Sequence, residues 1–403
     1  MKQLLSSKWN QFVNFKLTGQ WLYQVAFVYL VTISYLQTST FVDFFAPSTL
    51  HRLLFFGLAV IAFKIFFLDS HNLPTITGNL LGFILLLVTW RMSHDFMLVV
   101  MGTLILGARG VDFRQIVKLY FIVGLTGLVY ILISAQLGII KDLVFIRDTN
   151  GAVRHAFGII YPTDFAAHVL FLVMADAYLA FHHLSWRRYV VYGIIALLVM
   201  GATNARLDSL AILLIIPVVW IGKRANHSHL LSRFIAGFYW IIPAISAYIV
   251  ICLAYFYHES NHLMEKANQA LSGRLYYGNL AFKRYGVSNF GQAVQEHGWG
   301  IGVNAHKVTT ANYFFIDASF LRLLIIFGIV VLFVVLTMMT KISWQSIQNN
   351  DYALASIMVI VTISAILEQR LVDIAYNPFL LAFLATGTTS LVKKEKDIER
   401  VHS

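Results

Sequence analysis

Charge is what this chain has least of. Asp, Glu, Lys and Arg make up only 12% of its 403 residues, where a soluble domain carries about a quarter. Too few charges are present to coat a water-facing surface, so the bilayer is the expected solvent. Cysteine is nearly absent too. Cys252 is the only one, which excludes an intrachain disulfide framework and a thiolate metal cage. Several enzyme signatures are missing: there is no HExxH, no GxSxG, no P-loop and no Asp-x-Asp. No cleavable signal peptide is expected, because the N-terminus is amphipathic and its first apolar run lacks a small-residue cleavage site. Without a repeat, linker or low-complexity segment, residues 1–403 read as one integral membrane domain.

What the chain has instead is apolar length. Hydrophobic residues make up 59%, and the mean hydropathy is +0.72. Runs suited to crossing hydrocarbon predict an all-α polytopic bundle of about twelve transmembrane helices. They lie near 20–37, 50–68, 74–90, 95–108, 115–139, 156–181, 188–203, 207–222, 233–257, 313–339, 351–367 and 374–392. The fourth and seventh are short.

The net charge of +11 would suggest nucleic acid in a soluble protein. Its distribution points elsewhere. With both termini cytoplasmic, sixteen Lys and Arg fall in inner segments, clustered at Lys2–Lys16, Arg109–Lys118, Arg187–Arg188, Lys223–Arg233, Lys341 and Lys393–Arg400. The short outer loops hold seven. That asymmetry follows the positive-inside rule, so no nucleic-acid partner is expected.

One stretch of roughly 55 residues, Tyr257 to Asn312, breaks the apolar pattern and is placed outside by the same rule. It carries Arg274, Lys283, Arg284, Glu296, His297, His306 and Lys307. Ser272 is suited to cap a helix through GRLYYGNLAFKRYG, with Gly286 as its stop. Leu275, Ala281, Phe282 and Tyr285 would form its apolar side. Lys283 and Arg284 suit a last turn at a membrane surface. Arg274 in the first turn opposes the helix dipole, so an anion is expected to hold it there. Gly291, Gly298, Gly300 and Gly302 permit tight turns.

Ionisable residues inside spans are costly and mark function by default. Lys64 is close enough to a span end to snorkel. Asp176 lies near Arg187 and Arg188, in a structural or a chemical role. Asp164 and His168 share a helix face behind Pro162, as a local hydrogen-bonded pair or as the lining of a cavity. Arg206, Leu207 and Asp208 read as almost the whole of a very short outer turn, with the guanidinium at the membrane mouth. The tenth span sets Asp317, Leu321, Leu324 and Gly328 on one stripe, with Arg322 about 140° round from Asp317. Without an Asp-x-Asp, arginine is the expected partner for a diphosphate. Arg147, Arg154, Arg206, Arg274, Arg322 and Arg370 are available on the outer side. Asp317 and Glu296 are the acids best placed to activate a hydroxyl.

ARLDSLA, SGRLYYGNLAFKRYGVSNFGQ, GIGVN followed by IDASFLRLLIIFG, and RHAFGIIYPTDFAAH stand in an order that resembles the O-antigen polymerase (Wzy-type) and O-antigen ligase superfamily. The likeness covers about 150–330 and is nearest to polymerases of capsule and exopolysaccharide repeat units. It implies a GT-C-like bundle in the bacterial plasma membrane and inverting glycosyl transfer without metal or cofactor. Both substrates would be oligosaccharides linked to undecaprenyl diphosphate, with a flippase and a chain-length regulator as protein partners. Ligases of this superfamily commonly carry histidine where Asp317 stands, which favours polymerase. His297, His306 and Glu296 are the other candidate bases. A ligase-like transferase and a transporter of the same lipid are the competing readings.

An impermeant cysteine reagent applied from outside should label residues introduced near 280 in intact cells. Labelling only after lysis would reverse the orientation.

Overall fold

The structure is a computed structural model that describes residues 18–146, 151–298 and 313–387. Several helices begin where the sequence supplies a cap. Helix α1 (Gly19–Gln37) starts behind Thr18, whose Oγ1 accepts from the Trp21 amide. Helix α2 (Pro47–Phe63) runs on into a π-turn over Lys64–Leu68. Helix α3 (Leu73–Ser93) opens on a reciprocal capping box between Asn72 and Thr75. The short α4 (Met97–Gly107) follows, then α5 (Phe113–Gln136), capped by Asp112. A small antiparallel ribbon pairs β1 (Val144–Ile146) with β2 (Val153–His155). Helix α6 (Pro162–Leu179) begins on proline, whose missing N–H costs nothing at a first helical position. Helices α7 (Trp186–Thr203), α8 (Arg206–Asn226), α9 (Leu230–Ala236) and α10 (Ile242–Tyr255) lead to the long loop.

Two short helices lie in that loop, α11 (His262–Ala270) and α12 (Arg274–Tyr285). Ser272 does not cap α12. Its φ is +54°, and Gly273, at φ +86°, is the N-cap residue. Two successive left-handed residues reverse the chain between α11 and α12. The C-terminal part consists of α13 (Ser319–Arg322), α14 (Ile329–Gln348) and α15 (Ala353–Leu367).

Five stretches among the described residues are long and apolar enough to cross a membrane: Ser48–Leu68, Leu73–Ser93, Phe113–Gln136, Leu230–Tyr255 and Ile329–Gln348. Phe56, Phe67, Leu81, Leu197, Leu198 and Phe333 face outward. An apolar exterior of that kind suits lipid and not water. Nearly every residue of α6 and α15 is buried, so these two helices form the centre.

Cross-links sort the connections into two ends. At the loop end Lys141 meets Asp43 at 3.2 Å, Arg154 reaches the Thr203 carbonyl, and Arg322 reaches Asp95. At the basic end Arg114 reaches the Leu179 carbonyl, Lys223 that of Leu184, and Arg233 meets Asn350.

Two expected spans take other forms. The tenth is broken: after α13 comes a π-turn over Leu323–Phe327, and Gly328 at φ +94° interrupts the chain before α14. Asp317 therefore precedes the helix, and the stripe from Asp317 to Gly328 does not exist as one helical face. The loop stitches this break. Gln292 donates to the Ile325 and Ile326 carbonyls, while Ser288 and Asn289 carbonyls accept from the Ile329 and Val330 amides. The last expected span, 374–392, is irregular chain in its described part, with one 3₁₀ turn just before it, Arg370–Val372, and one within it, Phe379–Phe383. The chain is buried from 370 to 382 and reaches the basic end, where Thr386 pairs with Asp112. Asn377 supplies part of the missing backbone pairing, donating to Leu371 and accepting from Phe379.

A Cβ on Gly291 would lie 2.5 Å from the Ile326 carbonyl, and one on Gly328 would lie 2.5 Å from the Gly291 nitrogen. Both neighbours are backbone and cannot swing away. Gly328→Ala and Gly291→Ala should each lower stability by ~1–3 kcal/mol, read as a fall in Tm in detergent. Gly201→Ala, in open space on α7, should not.

Candidate active site

The chain turns sharply after α15, and this turn, Glu368 to Asp373, gathers buried charge. Arg370 pairs with Asp164 in the first turn of α6, and its guanidinium lies 4.6 Å from the Tyr376 ring centroid. Glu368 pairs with Arg274 Nη2 at 2.9 Å. Arg274 also donates to the carbonyls of Leu367 and Leu271. Asp317 stands 4.0 Å from the same guanidinium. Asp208, buried in the first turn of α8, lies within Coulombic reach of Arg274, Arg370 and Asp164. Four carboxylates and two guanidiniums thus share one network drawn from α6, α8, α12, the stretch before α13 and the turn after α15.

Burial raises the cost of every charge here. It pushes the Glu368 carboxyl well above the usual range, and Arg274 pulls it back. Burial works to discharge Arg274, but Glu368, Asp317 and Asp208 outweigh it. Access separates the acids. The Asp317 side chain is 29% exposed against 7% for Glu368 and 9% for Asp164. Of the acids, Asp317 alone is open to a ligand.

A second cluster lies beside the first. Arg322 is held by Glu296 at 2.8 Å and by Asp95 at 3.3 Å, with the Phe315 ring centroid 5.4 Å away. Glu296 also accepts from the Ile316 amide. His297 exchanges two backbone hydrogen bonds with Phe314 while its side chain stays exposed. Together these contacts fix the chain that carries Asp317.

The structure brings Asp317, Arg274 and Arg370 into one network and places Glu296 and Arg322 next to it. Arg154 stands apart, donating to the Thr203 carbonyl and tying β2 to α7. Arg206 is exposed in the first turn of α8. The tight turn is Asn204–Ala205, with Asn204 at φ +51°; Arg206 to Asp208 open the helix. Arg147, His306 and Lys307 lie outside the described residues. The anion holding Arg274 in its first turn is the protein's own Glu368.

Other intramembrane groups have structural partners. Asp164 and His168 do not pair with each other. His168 shares a hydrogen bond with Thr38 at 2.9 Å, its ring between Tyr35 and Tyr376. Lys64 does not snorkel. It is buried and donates to Asp69 and to the Gly107 and Arg109 carbonyls, closing the end of α4. Asp176 binds Arg188 at 3.1 Å and the Tyr192 hydroxyl at 2.6 Å.

Asp208, Glu368, Asp95 and Asp373 were not singled out from the sequence. The run EQRLVD between two apolar stretches was a readable signal for two of them. Among the described residues no three of His, Cys, Asp and Glu converge as a metal cage. No family model, curated protein or solved structure matches the chain.

Breaking one side of a buried pair costs more than removing both. Asp164→Asn and Arg370→Met should each destabilise by ~3–5 kcal/mol, and the double variant by clearly less than their sum. Additive losses in Tm would show that the two side chains do not interact.

Proposed function

We propose that this chain is a membrane glycosyltransferase that polymerises oligosaccharide repeat units carried on undecaprenyl diphosphate. In this reading the bundle crosses the plasma membrane twelve times in a GT-C-like arrangement. Both termini are cytoplasmic, and the loop end faces outward. The irregular segment from 370 to 386 is the twelfth crossing. The observation that carries the reading is the standing of Asp317: an open carboxylate at the rim of a buried arginine–carboxylate network, 4.0 Å from Arg274. The order of motifs between about 150 and 330 supports it.

The chemistry follows from that placement. Asp317 accepts the proton of an acceptor sugar hydroxyl. The freed oxygen pair forms a bond to the donor's anomeric carbon, and the bond from that carbon to the diphosphate oxygen breaks on the opposite face. Configuration inverts, and undecaprenyl diphosphate leaves with the electron pair. Arg274 and Arg370 are already neutralised in place, so their part is to hold the carboxylates in position. The exposed Arg206 is the first cation an entering diphosphate meets, and its planar fork suits phosphate oxygens.

Purified protein in detergent, given a synthetic lipid-linked repeat unit and a chelator, should produce a ladder of longer glycans without nucleotide sugar. Asp317→Asn keeps the shape and removes the base, and should slow the reaction ~10²–10⁴-fold. Arg206→Lys should lose roughly tenfold or more. If wild type is inert there yet moves the lipid across sealed vesicles, the chain is a transporter. Transfer of glycan only to a different envelope acceptor would make it a ligase.

A further inference from the structure

An open groove of about 510 Å³ runs along the lipid-facing side at the basic end, far from the carboxylate network. Its volume falls within the usual range for ligand sites. One wall is α14, which turns Phe333, Thr337, Thr340, Lys341 and Trp344 to the same side through their i, i+3, i+4 and i+7 spacing. The other wall is Trp240 and Ala244, one turn apart where α10 begins. Trp240 and Trp344 meet edge to face at 5.2 Å.

The groove has a direction. Toward the bundle centre it is hydrocarbon, from Phe333, Leu336 and Ala244. Toward the basic end it gains the two threonine hydroxyls, the indole pair and Lys341. Lys341 is exposed, and its ammonium lies 5.1 Å from the Phe383 ring centroid. Among the described residues no acid lines the groove. A cation with no acid beside it among the described residues, at the level where tryptophans mark a membrane interface, is complementary to an anionic headgroup.

We infer that this groove binds an anionic phospholipid of the leaflet at the basic end. Its phosphate sits on Lys341 with Thr340 beside it, and an acyl chain lies along Thr337, Leu336, Phe333 and Ala244. The chemistry fits a lipid better than a free phosphate, because most of the lining is apolar and would gain nothing from an ion alone. The inference does not depend on the glycosyl transfer proposed above.

The test uses the full chain in detergent with dioleoyl phosphatidylglycerol or dioleoyl phosphatidylcholine, which share acyl chains and differ in charge. Native mass spectrometry counts the lipid retained, and Tm in the absence of lipid checks folding. Wild type should retain phosphatidylglycerol in preference to phosphatidylcholine. Lys341→Gln should lower that preference about fivefold, and Lys341→Arg should restore it. Ala244→Trp, which fills the apolar half from an exposed position, should reduce retention of both lipids with Tm unchanged. Equal retention of the two lipids by wild type would overturn the proposal. So would phosphatidylglycerol binding that survives both Lys341→Gln and Ala244→Trp. A change in oligomeric mass with Ala244→Trp, at constant lipid count, would assign the groove to a second copy of the chain instead.

Discussion

Arginine in a low-dielectric interior must keep its charge, and so must be given an acid. The turn from Glu368 to Asp373 is where this protein meets that demand. Arg370 reaches Asp164 on α6, and Glu368 reaches Arg274 on α12. One short turn thereby ties the central helix α15 to a helix buried beside it and to a helix of the long loop. Asp317 is positioned by the same guanidinium that Glu368 neutralises. Remove the pairing and the start of α12 loses its tie to the turn after α15. Buried ion pairs are poor sources of net stability, since the desolvation they suffer offsets most of what they return. Their value here is geometric.

The second fixed point is the stitched break between α13 and α14. A π-turn and a left-handed glycine free carbonyls that a regular helix would have paired. Gln292 and the backbone of Ser288 and Asn289 take up that pairing. The contact leaves no room for a side chain at Gly291 or Gly328. With the His297–Phe314 bridge and the Glu296–Arg322 pair, it holds the loop against the bundle on both sides of Asp317.

Hydropathy made most of this fold legible. Apolar runs read from the sequence coincide with α1 through α8 because each is a helix stable by its own backbone hydrogen bonds. Legibility ended where partners distant in sequence decide conformation. Asp317 and Gly328 carry a helical spacing, yet the loop's Gln292 breaks the helix between them. Ser272 is a good cap by type but was overridden by the two left-handed residues that reverse the chain. Lys64 looked free to snorkel because the Gly107 and Arg109 carbonyls that hold it are some forty residues away. Arg274 announced an anionic partner by its place in a first turn. That the partner is Glu368, 94 residues on, no local pattern records.

If, as proposed, the segment from Arg370 to Thr386 crosses the membrane, it carries a consequence for how the protein is made. An isolated helix can leave the translocation channel for lipid because its backbone is already paired. This segment is not such a helix. Its Ala375 carbonyl accepts from the Tyr120 hydroxyl, its Thr386 amide donates to the Val111 carbonyl, and its side chains are buried within the bundle from 370 to 382. Lipid offers none of those partners. The segment therefore enters the membrane only against helices already standing there. Those helices precede it in the order of synthesis, so assembly of the bundle comes before insertion of its last strand of chain and is the condition for it.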